Sequence, residues 1–139
     1  MIRDMINKIE AGIHLPEYKK EITRRSIDLY TRASGDYNPI HTDEEFARNS
    51  QFGGVIAHGM LLLAYLSQML TAAFNDKWSN CGSLDIRFKT PARAGDVLVF
   101  DGIIREFRDT GKVRLAVCDL SCRNQHGQPV IMGEASINL

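Results

Sequence analysis

Between Val55 and Phe74 the sequence runs VIAHGMLLLAYLSQMLTAAF, the most apolar stretch of the chain. Its length is near the ~20 residues that cross a bilayer, so a membrane helix is the first reading to test. His58, Ser67 and Gln68 interrupt the run, no Lys or Arg flanks its start, and no second span follows. A helix apolar on nearly all sides is equally what the centre of a globular core requires, and that is the reading preferred, with the helix opening near Gly59 and running to Phe74.

Downstream of this helix the period changes from helical to alternating. Leu84, Ile86 and Phe88 alternate with Asp85, Arg87 and Lys89, the pattern of a strand with one buried face. Turn residues at Pro91, Gly95-Asp96, Asp109-Thr110-Gly111 and Asn124-Gln125-His126-Gly127 bound three more strands, over 97–105, 113–123 and 130–139. Upstream, 16–21 is a plausible first strand, and Thr23 is placed to cap a helix with Ile27, Tyr30 and Ser34 on one side, ending at Gly35. A turn-rich Gly35-Asp36-Tyr37-Asn38-Pro39 follows, from which His41 emerges in a constrained loop. Thr42 then reads as the cap of a short helix through Arg48, with Glu45 closing a capping box. One long apolar helix and five strands predict an α+β domain in which a sheet wraps around that helix.

Composition bounds the function classes. The 139 residues suit one domain, 1–139, with 44% hydrophobic and 24% charged residues giving an ordinary globular balance. Lys plus Arg equals Asp plus Glu, 17 each, so no overall field favours nucleic acid or an anionic membrane. Met1–Glu10 is broken by Arg3, Asp4, Lys8 and Glu10 and has no apolar leader core, so a cytoplasmic location is expected. Three cysteines make no disulfide framework. Cys118 and Cys122, four apart on one strand, sit roughly 13 Å from each other at about 3.3 Å per residue, and read as buried apolar fillers. Cys122 with His126 supplies only two ligands, so no metal site is expected there.

The residues that carry chemistry lie on either side of the helix entrance. Ser34-Gly35-Asp36-Tyr37-Asn38-Pro39-Ile40-His41 is followed by Ala57-His58-Gly59-Met60, and later by Phe88-Lys89-Thr90-Pro91 with Gly95-Asp96. This set resembles the MaoC-like, or type 2, enoyl-thioester hydratases, whose signature is a Ser-Gly-Asp-x-Asn-Pro-apolar-His run and a His-Gly-Met helix start. The likeness covers about residues 23–139. It implies a hot-dog fold, a curved antiparallel five-stranded sheet around the long helix, and a dimer or higher homo-oligomer. It also implies an acyl-CoA or acyl carrier protein thioester as substrate, with hydration to the (R)-3-hydroxyacyl product. Asp36 and His41 match the catalytic pair of the signature, and Asn38, in the same run, is a candidate substrate-binding residue. Gly59 matches the residue whose N–H faces the thioester carbonyl, and Ser67 matches a serine found beside the pair.

Elementary chemistry explains why such residue types are needed. Hydrating a thioester-conjugated alkene removes a proton from water, delivers one to the α carbon and places charge on the carbonyl oxygen. A carboxylate and an imidazole five apart around a Pro-stiffened turn can share the proton work, and a glycine N–H at a helix entrance can meet the oxygen. No metal, flavin or nicotinamide cofactor is needed for this. Plainer readings stand beside these. Asp36 is also a good turn former, and His58 a structural helix-start histidine. Ser67 can bond back to its own helix, and Gly59 can serve helix entry alone. Arg87, Lys89 and Arg93 suit CoA phosphates or an acidic carrier, and suit a solvated strand face as well. Met60, Leu63, Leu66 and Met69 could line an acyl tunnel or simply pack the core. Two rival activities remain on the same fold: a thioesterase, and a non-catalytic acyl-thioester-binding partner subunit.

Overall fold

Local signals near the N-terminus set the first elements of the computed structural model, which describes residues 11–139. The reading of Met1–Glu10 lies outside those residues. Strand β1 (Tyr18–Glu21) leads to helix α1 (Arg24–Ser34), whose first turn is capped as expected: the Thr23 side chain accepts from the Ser26 N–H. Ile27 and Thr31 are the residues α1 buries, while Ser34 is exposed and donates to the Tyr30 carbonyl, so the inward side is set by Thr31 and not by Ser34. Gly35 ends the helix in the left-handed region, φ 75°, where a glycine carries no Cβ penalty.

Two expectations about the next segment are corrected. His41 does not hang from a loop: Pro39–Thr42 forms a single helical turn, α2, with Asn38 as its cap and Pro39 at the first position, where its fixed φ favours helix entry. Because Thr42 is consumed by that turn, the cap of α3 (Glu44–Arg48) passes to Asp43, whose carboxylate accepts from the Phe46 N–H at 3.0 Å. The capping box assigned to Thr42 and Glu45 is therefore absent, and an Asp cap replaces it.

Helix α4 (Gly59–Phe74) spans the range read from the apolar run, and buries Leu61, Leu62, Leu66, Met69, Leu70, Ala73 and Phe74. A second, short helix not anticipated from the sequence, α5 (Asp76–Cys81), joins it to β2 (Gly82–Phe88). The close approach of α5 to the strand requires glycine at 82, since a Cβ there would run into the Trp78 ring and carbonyl. Then come β3 (Val97–Asp109), β4 (Arg114–Arg123) and β5 (Pro129–Asn138).

The five strands form one antiparallel sheet in the order β1-β3-β4-β5-β2. Alternate residues of its long strands, Leu98, Phe100 and Ile104, then Cys118, Leu120 and Cys122, then Ile131, Ala135 and Ile137, share one core cluster with the buried face of α4. Register shifts between Ile104 and Glu106 and between Cys122 and Arg123 are bulges, which raise local twist and bend the sheet. An open antiparallel sheet packed on a long central helix is the hot-dog arrangement expected. Cys118 and Cys122 are fully buried fillers, and burial pushes both thiols up to about 12. On β2 the expected buried face is only partial: Leu84 and Ile86 are half-buried and Phe88 is 50% exposed, because β2 is an edge strand paired on one side to β5. Among the described residues no helix is long and apolar enough to cross a membrane.

Candidate active site

A chain of short hydrogen bonds shapes the turn between α1 and α2. The Ser34 hydroxyl accepts from the Asp36 N–H at 3.1 Å, Asp36 Oδ1 accepts from the Asn38 N–H at 3.2 Å, and Asn38 Oδ1 accepts from the Ile40 N–H at 3.2 Å. Each small polar side chain thus fixes the backbone two residues away, and Pro39 removes one further freedom. His41 is carried inward on α2 and is buried. Its Nδ1 lies 2.7 Å from the Ile56 carbonyl, and the Ile56 N–H returns a bond to the Ile40 carbonyl at 3.1 Å. A carbonyl only accepts, so Nδ1 carries a proton and donates it, and in the tautomer with its one proton there Nε2 is a bare acceptor.

The entrance of α4 closes the site from the other side. His58 is its cap residue, with the carbonyl accepting from the Leu61 and Leu62 N–H groups, and its side chain is 1% exposed. The His58 ring is stacked on His41, with centroids 4.0 Å apart and planes 25° from parallel. His58 Nε2 lies 3.2 Å from the Asp36 carbonyl and 3.2 Å from Thr31 Oγ1, and burial holds this imidazole below the ordinary histidine range. Gly59 follows at the first position of a 16-residue helix, where the N–H has no partner four residues back and sits at the positive end of the dipole. The Phe88 ring lies over it: a Cβ on Gly59 would stand 3.0 Å from Phe88 Cζ. Exposed Asp36, buried His41 and buried His58 offer side-chain atoms that all lie within 4.8 Å of one another.

The structure therefore brings Asp36 and His41 together, and adds His58 as a third group. Sequence reasoning placed His58 at the helix start without joining it to the pair. The available signal was its adjacency to Gly59, because any fold carrying that N–H to the pair carries His58 as well. Two carboxylate-and-imidazole donors plus His58 form a set that could take a divalent ion. Tetrahedral chelation needs donors about 3.3 Å apart, and His58 Nε2 is already engaged by Asp36 and Thr31, leaving Nδ1 as its free donor.

Other candidates are placed elsewhere. Ser67 is two turns further along α4, and its Oγ accepts from Trp78 Nε1 at 2.7 Å, so within the chain it anchors α5 and does not touch the pair. Asn38 uses its side-chain oxygen as the α2 cap. Met60 is 57% exposed beside Gly59 and Leu63 is half-buried, whereas Leu66 and Met69 are core. Arg87 and Lys89 are exposed at the end of β2. Arg93 is also exposed, but its guanidinium donates to the Phe52 carbonyl and its N–H to Asp96, which ties the 50–54 loop to the 91–96 turn.

A bent antiparallel sheet around one helix, with a carboxylate and an imidazole gathered at that helix's amino end, defines a hot-dog protein equipped for acid–base work. The chain belongs to the MaoC like domain family, a hydratase/dehydratase family, which it matches over residues 9–118. It is 30% identical over 123 residues to a 3-hydroxybutyryl-CoA dehydratase of Methylorubrum extorquens, covering 87% of this chain and 75% of that one. An (R)-specific enoyl-CoA hydratase of Rhodospirillum rubrum is 30% identical over 127 residues, covering 85% and 80%. Among solved structures, the unliganded R-hydratase PhaJ1 of Pseudomonas aeruginosa superposes with a TM-score of 0.79 at 30% identity, over 94% of this chain and 82% of that one. The (R)-hydratase of Aeromonas caviae does so with a TM-score of 0.80 at 25% identity, over 94% and 97%.

Proposed function

We propose that the protein catalyses the reversible hydration of a trans-2-enoyl thioester, on CoA or acyl carrier protein, to the (R)-3-hydroxyacyl thioester. The observation that carries this reading is the meeting of the Asp36 carboxylate and the His41 ring beside the open N–H of Gly59. In the hydration direction a water oxygen bonds to C3 while the Asp36 carboxylate takes one of its protons. The bare Nε2 of His41 accepts a hydrogen bond from the same water and aims its lone pair. Electrons of the C2–C3 double bond move towards the carbonyl, and the Gly59 N–H stabilises the charge that develops on that oxygen. The abstracted proton then passes to C2, so H and OH are added across the bond and both side chains return to their starting states.

The names of the relatives support the thioester and the R product, since both hydratases and dehydratases of such substrates are among them. The protein acts as a homodimer in this reading, with the β2 edge paired across a two-fold axis and Met60 and Phe88, both exposed in one chain, covered beside Gly59. In the same reading the exposed Arg87 and Lys89 hold the phosphate-bearing arm of the substrate. The test is loss of absorbance at the enoyl-thioester band with short, medium and long enoyl-CoA substrates, with free thiol followed in parallel. Loss of the band without thiol release is expected. Thiol release matching band loss would make the protein a thioesterase, and no turnover of any chain length would make it a binding subunit.

A further inference from the structure

His58 stands apart from the groups assigned above, because it is a buried titratable side chain that the hydration steps do not use. Its surroundings are nonetheless specific. Asp36, His41 and Tyr30 are the titratable groups that face it, from the turn, from α2 and from α1; the Tyr30 ring meets it edge-on with centroids 4.8 Å apart. The Asp36 carbonyl can only accept, so a neutral His58 must carry its proton on Nε2 and donate there, with Thr31 Oγ1 sharing the same N–H. The other tautomer would set two lone pairs against each other at 3.2 Å and leave a bare N–H inside the protein. With the proton on Nε2, the atom left unpaired is Nδ1, and among the described residues Nδ1 is the one buried side-chain polar atom without a partner.

We propose that His58 is the positioning residue of the site: its neutral imidazole fixes the Asp36 backbone through Nε2–H and supports the His41 ring by stacking, locking the acid–base pair to the helix entrance that carries Gly59. The inference rests on the roles given above to Asp36 and His41. One residue then joins three parts of the reaction, because its backbone leads directly into Gly59 while its ring touches the other two. Protonation would defeat the arrangement, since it would add a buried unpaired Nδ1–H and a positive charge against His41.

The two contacts can be separated by substitution. His58→Gln places an amide N–H2 where Nε2 was and keeps the bond to Asp36 without the stacked ring. His58→Phe keeps a stacked ring and loses the donor. Hydration of crotonyl-CoA, melting temperature and the pH profile of kcat/KM are measured for both, alongside Asp36→Asn and the double variant Asp36→Asn/His58→Phe. The expected result is a fall in kcat of at least about tenfold for His58→Phe with KM within about threefold, partial rescue in His58→Gln, and an acid limb retained in both. The double variant should be no slower than Asp36→Asn, because a residue that acts through Asp36 contributes little once the carboxylate is gone. Wild-type kcat in His58→Phe with Asp36→Asn inactive would overturn the inference alone, and so would additive losses in the double variant. Loss of the acid limb in His58→Gln would make His58 an acid or base itself. Full activity in Asp36→Asn would instead overturn the assignment on which the inference rests.

Discussion

Asp36 and His41 are held by different means, and the difference sets what their variants should do. Asp36 is exposed, on a turn that uses one carboxylate oxygen for the Asn38 N–H. Asp36→Asn keeps that oxygen and removes the charge, so we expect turnover at least about 100-fold lower with an unchanged melting temperature. His41 is buried and tied through Nδ1 to Ile56. Here His41→Asn is the sharper probe, since its amide N–H can replace Nδ1–H while Nε2 is lost, and a similar fall in rate is expected. Either variant retaining more than a tenth of wild-type activity would remove that residue from the mechanism. His58 adds a pH dependence. Its folded-state pKa is depressed by burial, so below the unfolded value the unfolded chain binds more protons than the folded one. Stability should be fully present above about pH 6.5 and fall as pH drops below it. The melting temperature followed from pH 7.5 to 5 should show this, with a shallower fall in His58→Gln; equal slopes would contradict it. The residues Asp36, His41 and Gly59 were legible because composite motifs fix their order and spacing. The stacking of His58 was not, because it depends on two segments 17 residues apart meeting ring to ring.

At the level of elements, the entrance of α4 is the decisive place. If the Gly59 N–H meets a developing oxyanion, a methyl group there should obstruct the carbonyl and cost about 100- to 1,000-fold in turnover. Phe88 complicates the reading, since the added Cβ would also press on its ring. The ring is half-exposed and can swing, so Gly59→Ala/Phe88→Ala, compared with Phe88→Ala alone, separates the two causes. Activity restored by the second substitution would mean crowding by Phe88 and not loss of the oxyanion contact. Within the sheet, a Cβ on Gly133 would strike the Asp85 carbonyl and the Ile86 backbone of the paired strand. Gly133→Ala should therefore destabilise by about 1–3 kcal/mol or more in denaturant unfolding, because backbone cannot move aside as a side-chain tip can. Helix α4 was readable to its ends because its apolar run is long and begins at a glycine. α2 and the shift of the cap from Thr42 to Asp43 were not, since Thr and Asp are both good caps and only the turn begun by Pro39 chooses between them. α5 was hidden for a related reason: its six residues are too few for a period to show.

Across the whole molecule, the core follows from alternation along three long strands and the sequence pattern anticipated it, whereas the order β1-β3-β4-β5-β2 is set by which strands pair and was not read from the pattern. The exposure of β2 could not be read there, because an edge and an interior strand alternate alike. That edge is the ground for expecting a dimer: light scattering at micromolar concentration should give twice the 15.6 kDa chain mass. A monomer with full activity would contradict the interface and leave Met60 and Phe88 as ordinary surface. In the proposed reaction water is added to a carbon–carbon double bond and Asp36 and His41 direct it. The most direct test is to turn over crotonyl-CoA in oxygen-18 water and locate the label by mass spectrometry, for the wild type and for Asp36→Asn. The label should appear on the C3 hydroxyl of an intact thioester in the wild type, with the Asp36→Asn rate at least about 100-fold lower; label in a free carboxylate with CoA released, or equal rates in the two proteins, would contradict the account.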